Sequence, residues 1–267
     1  MSPLKRRSEN IKKKRKSGID WLPIGFSLLI LVIWQVVVVI RDVPEFILPS
    51  PVRVIEELIG SWQILLDHTL VTVTEAFLGL LASIVLGSAI GLAMGYFKTF
   101  RRMVYPLFVI TQTVPLFVLA PLFILWFGFG ILPKIIVVFM VCFFPIAVTF
   151  AQGLVRSDSG MDDLLKVMGA SRWKIFRISR IPQALPYFFS GLKIAATYGI
   201  VGAVLAEWVG AQKGLGVFMT RAMKSFRTGA LFADVFIIVL LSLVLYKIVE
   251  WVEQMVCKDL SNGGNIT

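Results

Sequence analysis

Four stretches of this chain, 21–40, 76–97, 103–133 and 135–155, contain no charged residue, and each is twenty residues long or longer. A helix rising 1.5 Å per residue needs roughly 20 apolar residues to cross the hydrocarbon of a bilayer, so each can span. Two further stretches qualify. The first, 181–206, is broken only by Lys193, and the second, 231–249, only by Asp234 and Lys247. These polar groups lie near enough to the ends to reach the interface. With 57% of its 267 residues hydrophobic and 16% charged, the chain has too little polar sequence to cover six such stretches in water. The sequence therefore predicts an all-α polytopic membrane protein of about six transmembrane helices.

The spans are expected at about 21–40, 70–97, 104–127, 134–155, 186–209 and 231–251, within a transmembrane domain over 21–252. A basic segment, 1–20, precedes it and a tail, 253–267, follows. Pro106, Pro115, Pro121 and Pro133 punctuate the third stretch; one kinked helix is expected there, with a span plus a re-entrant piece as the alternative. The net charge of +11 and the run from Lys12 to Lys16 would suit nucleic acid elsewhere. Directly before a span, such charge instead holds a segment on the cytoplasmic side and meets anionic headgroups, so no nucleic-acid partner is expected. A secretory signal is disfavoured by the length of the apolar run and by the lack of a small-x-small cleavage site before Arg41.

With the N-terminus inside, the inner segments hold eighteen Lys and Arg and the outer ones seven, which places both termini in the cytoplasm. Four of the seven fall in the stretch 211–230, the weakest part of that argument. Cys142 and Cys257 indicate neither a disulfide framework nor a metal site, and no metal is expected. The single histidine, His68, reads as a polar residue at the outer edge of span two.

Between the first two spans, Pro44, Pro49 and Pro51 fix a loop, and 52–66 reads as a short amphipathic helix with Glu56 and Glu57 on its wet side. Span two carries Gly79, Ser83, Gly87, Gly91 and Gly95 at intervals of four. Span five carries Gly191, Ala195, Gly199 and Ala203 on one row and Gly202, Ala206 and Gly210 on the next. Small residues four apart let another backbone approach closely within lipid. Packing inside the chain is the plainer use; a subunit contact or a pathway wall is the alternative.

The segment between spans four and five, 157–185, is too long for a simple turn. Its pattern supports two short helices. Asp162 and Asp163 favour the start of the first, Leu164, Leu165, Val167 and Met168 form its apolar side, and Gly169 stands where a left-handed residue would end it. Ser171 can cap a second helix in which Trp173, Phe176, Ile178 and Ile181 alternate with basic residues, and Pro182 is expected to end it. A membrane-surface helix is the alternative.

The spacing from Asp163 through Gly169 to Pro182 resembles the EAA-type signature of the inner-membrane permeases of binding-protein-dependent ABC importers. The stretch 169–173, Gly-Ala-Ser-Arg-Trp, together with Pro182, Ala184, Leu185 and Pro186, the Gly191-Leu192-Lys193 triplet and 48–51, Leu-Pro-Ser-Pro, resembles the branch that handles alkanesulfonates, taurine, nitrate and thiamine-pyrimidine precursors. Asp163-Leu164-Leu165 departs from Glu-Ala-Ala: the charge is kept and the two small residues are not. The resemblance implies a cytoplasmic coupling-helix hairpin that docks on an ATPase through Asp162, Asp163, Leu164, Leu165, Gly169, Ala170, Ser171 and Pro182. It implies two ATP-binding subunits, an extracytoplasmic solute-binding protein, a second copy of the permease and a bacterial inner membrane. It also implies no cofactor on this chain, with ATP and Mg on the partner ATPase. The chain has no G-x-x-x-x-G-K-[ST] loop, so it is not expected to act as an enzyme.

A pathway needs polar groups within spans, and the candidates are Gln112, Thr113, Gln152, Tyr198 and Glu207. Glu207 can equally be an interfacial carboxylate beside Trp208. The stretches 206–210 and 214–216 resemble permeases for pyrimidine precursors, which implies such a solute, with sulfonate, taurine or nitrate uptake as the alternative. A secondary transporter or channel would more often show buried charges or inverted repeats, and a membrane enzyme would want a His, Asp and Glu cluster at one face.

Overall fold

The computed structural model describes residues 21–156 and 159–263. The basic segment 1–20, Ser157, Asp158 and the last four residues of the tail lie outside them. Every regular element is helical among the described residues: α1 (Trp21–Ile40), α2 (Pro51–Gly60), α3 (Trp62–Tyr96), α4 (Lys98–Thr113), α5 (Leu116–Phe127), α6 (Leu132–Val155), α7 (Ser159–Val167), α8 (Arg172–Ile175), α9 (Ile181–Glu207), α10 (Leu215–Lys224) and α11 (Thr228–Gly263). Five helical runs are long and apolar enough to cross a membrane, or six if α4 and α5 form one bent span. The all-α polytopic architecture read from the sequence is the one the chain adopts.

At the centre stands α6, with α3 on one side and α9 on the other. The small-residue rows make this possible. A Cβ on Gly79 would lie 2.5 Å from the side chain of Val138, and one on Gly95 would lie 2.5 Å from Leu154. On the opposite side, a Cβ on Gly191 would lie 2.5 Å from the carbonyl oxygen of Pro145. Ser83 adds a hydrogen bond to the Phe139 carbonyl at 3.0 Å. Both rows are thus occupied by α6 of the same chain, the plainer of the two uses. Val138, Cys142, Ile146, Ala195, Ala196 and Ala203 form the buried seam.

Three boundaries differ from the sequence reading, each for a physical reason. The amphipathic helix expected over 52–66 ends at Gly60, and α3 runs from Trp62 for 35 residues. At about 50 Å, α3 is longer than the hydrocarbon is thick, so its first turns need not be apolar. The third stretch does not make one kinked helix: α4 and the later part of α5 meet at 104°. Val114 is extended and Pro115 follows it, as expected where a proline bars its predecessor from helical geometry. Lastly, Pro182 does not end the second hairpin helix. After α8 the chain makes one π-turn, Phe176–Arg180, with the Ile181 amide bonded to the Phe176 carbonyl, and continues directly into α9. The widened turn accommodates the missing proline amide.

The bundle has two distinct ends. At one, α2 and α10 pack beside the start of α3 and of α11, with Leu65, Phe218, Ala222 and Ala230 buried together and Arg227 paired with Glu57 at 2.7 Å. At the other, α8 and the turn that follows it meet the end of α3, where Phe150, Leu154, Phe176 and Ala184 are buried. Helix α1 stands apart, with Val38 its only buried residue; its Trp34 ring reaches Phe232 of α11 at 5.7 Å. Such a face suits lipid.

Candidate functional site: a hairpin and a cleft joined by one helix

The hairpin is built by two local devices. At the end of α7, the Ala170 amide bonds the Leu165 carbonyl and the Gly169 amide bonds the Lys166 carbonyl, each at 2.9 Å. That is a Schellman closure, which requires the left-handed conformation Gly169 supplies at φ 79°. Space is not the constraint, since a Cβ there would meet nothing within 4 Å. Ser171 then caps α8, its hydroxyl accepting from the Lys174 amide.

A third contact ties the hairpin to the long helix. Asp162 is 4% exposed; it accepts from the Ser179 hydroxyl at 3.0 Å and from Arg180 Nε at 2.9 Å, with a second guanidinium nitrogen at 2.7 Å. Asp163, one residue on, is exposed and among the described residues pairs only with Lys166 of its own helix. The two acids of the signature therefore do different jobs. Tyr96, Trp173 and Phe176 stack edge and face beneath α8, and Arg172 lies over the Tyr96 ring while bonding its carbonyl. Beside its exposed charged residues the hairpin also leaves apolar side chains uncovered: Leu164, Val167 and Met168 are 56%, 88% and 73% exposed.

The polar residues expected to line a pathway divide into groups. Gln112 and Tyr198 face one cleft of about 580 Å³ between α4, α6 and α9, with Thr111 and Thr149. Thr113 bonds the Ile110 carbonyl and does not line that cleft. Gln152 lies on a second cleft, which shares Val148 with the first and is edged by Arg101, Arg102 and Arg156.

Glu207 belongs to neither. It is 1% exposed and turns back into the protein at the far end of α9. One carboxylate oxygen accepts from the Thr72 hydroxyl at 2.6 Å and the other from the Gly216 amide at 2.6 Å. Thr72 in turn accepts from the Leu215 amide at 2.9 Å. His68 places Nδ1 at hydrogen-bond distance from both backbone groups of Gly214, of which one neutral nitrogen engages one at a time. Alongside, Glu75 pairs with Lys134 at 2.5 Å. These groups fix the connection between α9 and α10.

His68, Thr72 and Glu75 were legible as a unit: spacings of four and three put them on one face of α3. A search for charge-free windows cuts α3 at residue 76 and hides it. The Asp162–Arg180 pair carried no comparable signal, because the two lie in different short helices of the expected hairpin.

Residues 79–258 match the model of the family described as binding-protein-dependent transport system inner membrane component. A probable ABC transporter permease protein of Haemophilus influenzae is 36% identical over 84% of this chain and 91% of its own length. The formylaminopyrimidine transport permease protein ThiX of Halalkalibacterium halodurans is 36% identical over 87% of this chain and 93% of its own. Among solved structures, a chain of the MetNI methionine ABC transporter in an inward-facing form superposes with a TM-score of 0.65 at 18% identity, over 74% of this chain and 98% of that one, a likeness of fold. The chain belongs to the inner membrane components of binding-protein-dependent transport systems: it is the permease subunit of an ABC importer, part of the translocation pathway for a small solute and not itself catalytic.

Proposed function

We propose that this permease carries a pyrimidine precursor of thiamine, delivered by a separate solute-binding protein on the outer face. In this reading two ATP-binding subunits drive transport by docking on the α7–α8 hairpin in the cytoplasm. The observation that carries the docking is the hairpin itself: a rigid unit, closed by Gly169 and pinned through Asp162 to the root of α9, yet leaving Leu164, Val167 and Met168 bare. Exposed apolar residues on a rigid polar-edged element are what a partner covers. Because α8 runs without a break into α9, displacement of the hairpin moves a helix that lines the Gln112–Tyr198 cleft. That cleft, completed by a second copy of the chain, is the proposed path.

Both termini and the hairpin are cytoplasmic in this reading, supported by the excess of Lys and Arg on that side. The solute rests on the 36% relative named for formylaminopyrimidine transport. Uptake of labelled formylaminopyrimidine by cells carrying the complete system is the test: saturable uptake that Gly169→Asp abolishes supports it. Taurine or sulfonate uptake in its place, with none of the pyrimidine, overturns the solute assignment. A Leu164→Cys chain that never cross-links to the ATPase overturns the docking.

A further inference from the structure

The cleft of about 580 Å³ between α4, α6 and α9 has no Asp, Glu, Lys, Arg or His in its lining among the described residues. We infer that it selects an uncharged heteroaromatic solute, with Gln112 and Tyr198 as the groups that read it, and rejects ionised groups such as sulfonate and nitrate. The inference rests on the reading of this cleft as the solute path. Its polar side chains are Gln112, Tyr198, Thr111 and Thr149. The two threonine hydroxyls are committed as donors: Thr111 donates to the Phe108 carbonyl at 2.8 Å and Thr149 to the Pro145 carbonyl at 2.6 Å. Gln112 and Tyr198 are both exposed, and neither side chain has a hydrogen-bond partner among the described residues.

An anion that leaves water for such a cleft gives up its hydration and meets no cation, and a charge out of water is tolerated only when it is paired. Arg101, Arg102 and Arg156 edge the neighbouring cleft and do not line this one. A second copy of the chain, placed by two-fold symmetry, presents the same uncharged face. Completing the path in that way brings no counter-charge from those side chains.

What the cleft offers instead is an amide, a phenol and aromatic walls. The Gln112 carboxamide holds a donor and an acceptor side by side. Carboxamides use that pattern to pair with a ring nitrogen beside an exocyclic amino group, as on adenine, and an aminopyrimidine whose amino group neighbours a ring nitrogen has the same edge. The Tyr198 hydroxyl can donate or accept a third bond. The rings of Phe144 and Tyr198 both line the cleft, and aromatic faces suit a planar solute.

The test measures uptake of labelled formylaminopyrimidine by the complete transporter in proteoliposomes, binding protein included, beside ATP hydrolysis and melting temperature. Gln112→Leu removes both bonds of the amide and should lower maximal uptake about tenfold; Tyr198→Phe removes one and should lower it about threefold. ATP hydrolysis stimulated by the loaded binding protein, and the melting temperature, should stay at wild-type values in both, which a merely structural role would not allow. Thr113→Val, next to Gln112 in sequence but outside the cleft, should change nothing. Pyrimidine uptake undiminished by Gln112→Leu and Tyr198→Phe overturns the inference and leaves the solute assignment standing. Uptake of riboflavin, another uncharged heteroaromatic, in place of the pyrimidine and lowered by the same two changes, overturns the assignment and supports the inference. Wild-type uptake of taurine, whose sulfonate is ionised, in place of the pyrimidine overturns both.

Discussion

The two ends of α9 are each held by a buried carboxylate, and they are held differently. At the α8 end, Asp162 meets a full positive charge, Arg180, whose guanidinium is partly in solvent. At the α10 end, Glu207 meets a hydroxyl and a backbone amide, with the Glu75–Lys134 pair beside it. The first is a surface-edge clamp whose net charge is zero. The second is a nearly enclosed network in which Glu75 alone meets the lysine, so Glu207 depends on its hydrogen bonds to Thr72 and Gly216. The end joined to the hairpin can therefore give and re-form, whereas the end joined to α10 is a fixed point.

The sharpest way to break that difference is at Gly214. Its φ of 129° is open to glycine and rarely to other residues, and a Cβ there would lie 2.1 Å from the carboxyl carbon of Glu207. Gly214→Ala combines backbone strain with overpacking, and about 3–5 kcal/mol of stability should be lost. A fall in the yield of monodisperse protein and in its melting temperature in detergent would show it; an unchanged melting temperature would mean the Glu207 network is not a fixed point.

Glu207→Ala comes next. It leaves the Gly216 amide buried without an acceptor and Thr72 short of one partner, a loss of about 2–3 kcal/mol. Glu207→Gln can still accept one of the two bonds and should cost less, about 1–2 kcal/mol. If Gln and Ala were equally destabilised in thermal unfolding, shape rather than hydrogen bonding would be what Glu207 contributes.

Asp162→Asn should cost about 1–2 kcal/mol, below the value for a fully buried pair because Arg180 keeps contact with water. The larger effect is expected in transport, since the hairpin is no longer tied to α9. Proteolysis within the hairpin, measured against wild type, reads the loosening directly.

How much of this was legible in the sequence follows from what kind of signal each part has. The spans announce themselves by length and apolarity, and the hairpin by Gly169 and Ser171, whose conformations are dictated locally. The fused α8–α9 helix was not legible, because Pro182 is a helix breaker by rule and the π-turn that absorbs it is a tertiary choice. Glu207 stands out as an acid near a span end, but one partner, Gly216, begins the next helix only after a loop, and the other, Thr72, comes from a distant helix. No periodicity in one segment can reveal a contact 135 residues away.

The smallest structural effect carries the most pointed functional test. Asp163 is two-thirds exposed at its side chain and pairs with Lys166 three residues along α7, an interaction that contributes no more than about 0.5 kcal/mol. Asp163→Asn should therefore leave the melting temperature within experimental error of wild type. Its neighbour Leu164 is exposed as well, so neither side chain stabilises the isolated subunit. If the hairpin is the docking element, Asp163→Asn should still lower solute uptake severalfold and weaken co-purification of the ATPase, while Asp162→Asn lowers both stability and uptake. Should Asp163→Asn transport at the wild-type rate, the two acids would differ only in their structural roles, and the partner would have to grip the hairpin through its apolar residues alone.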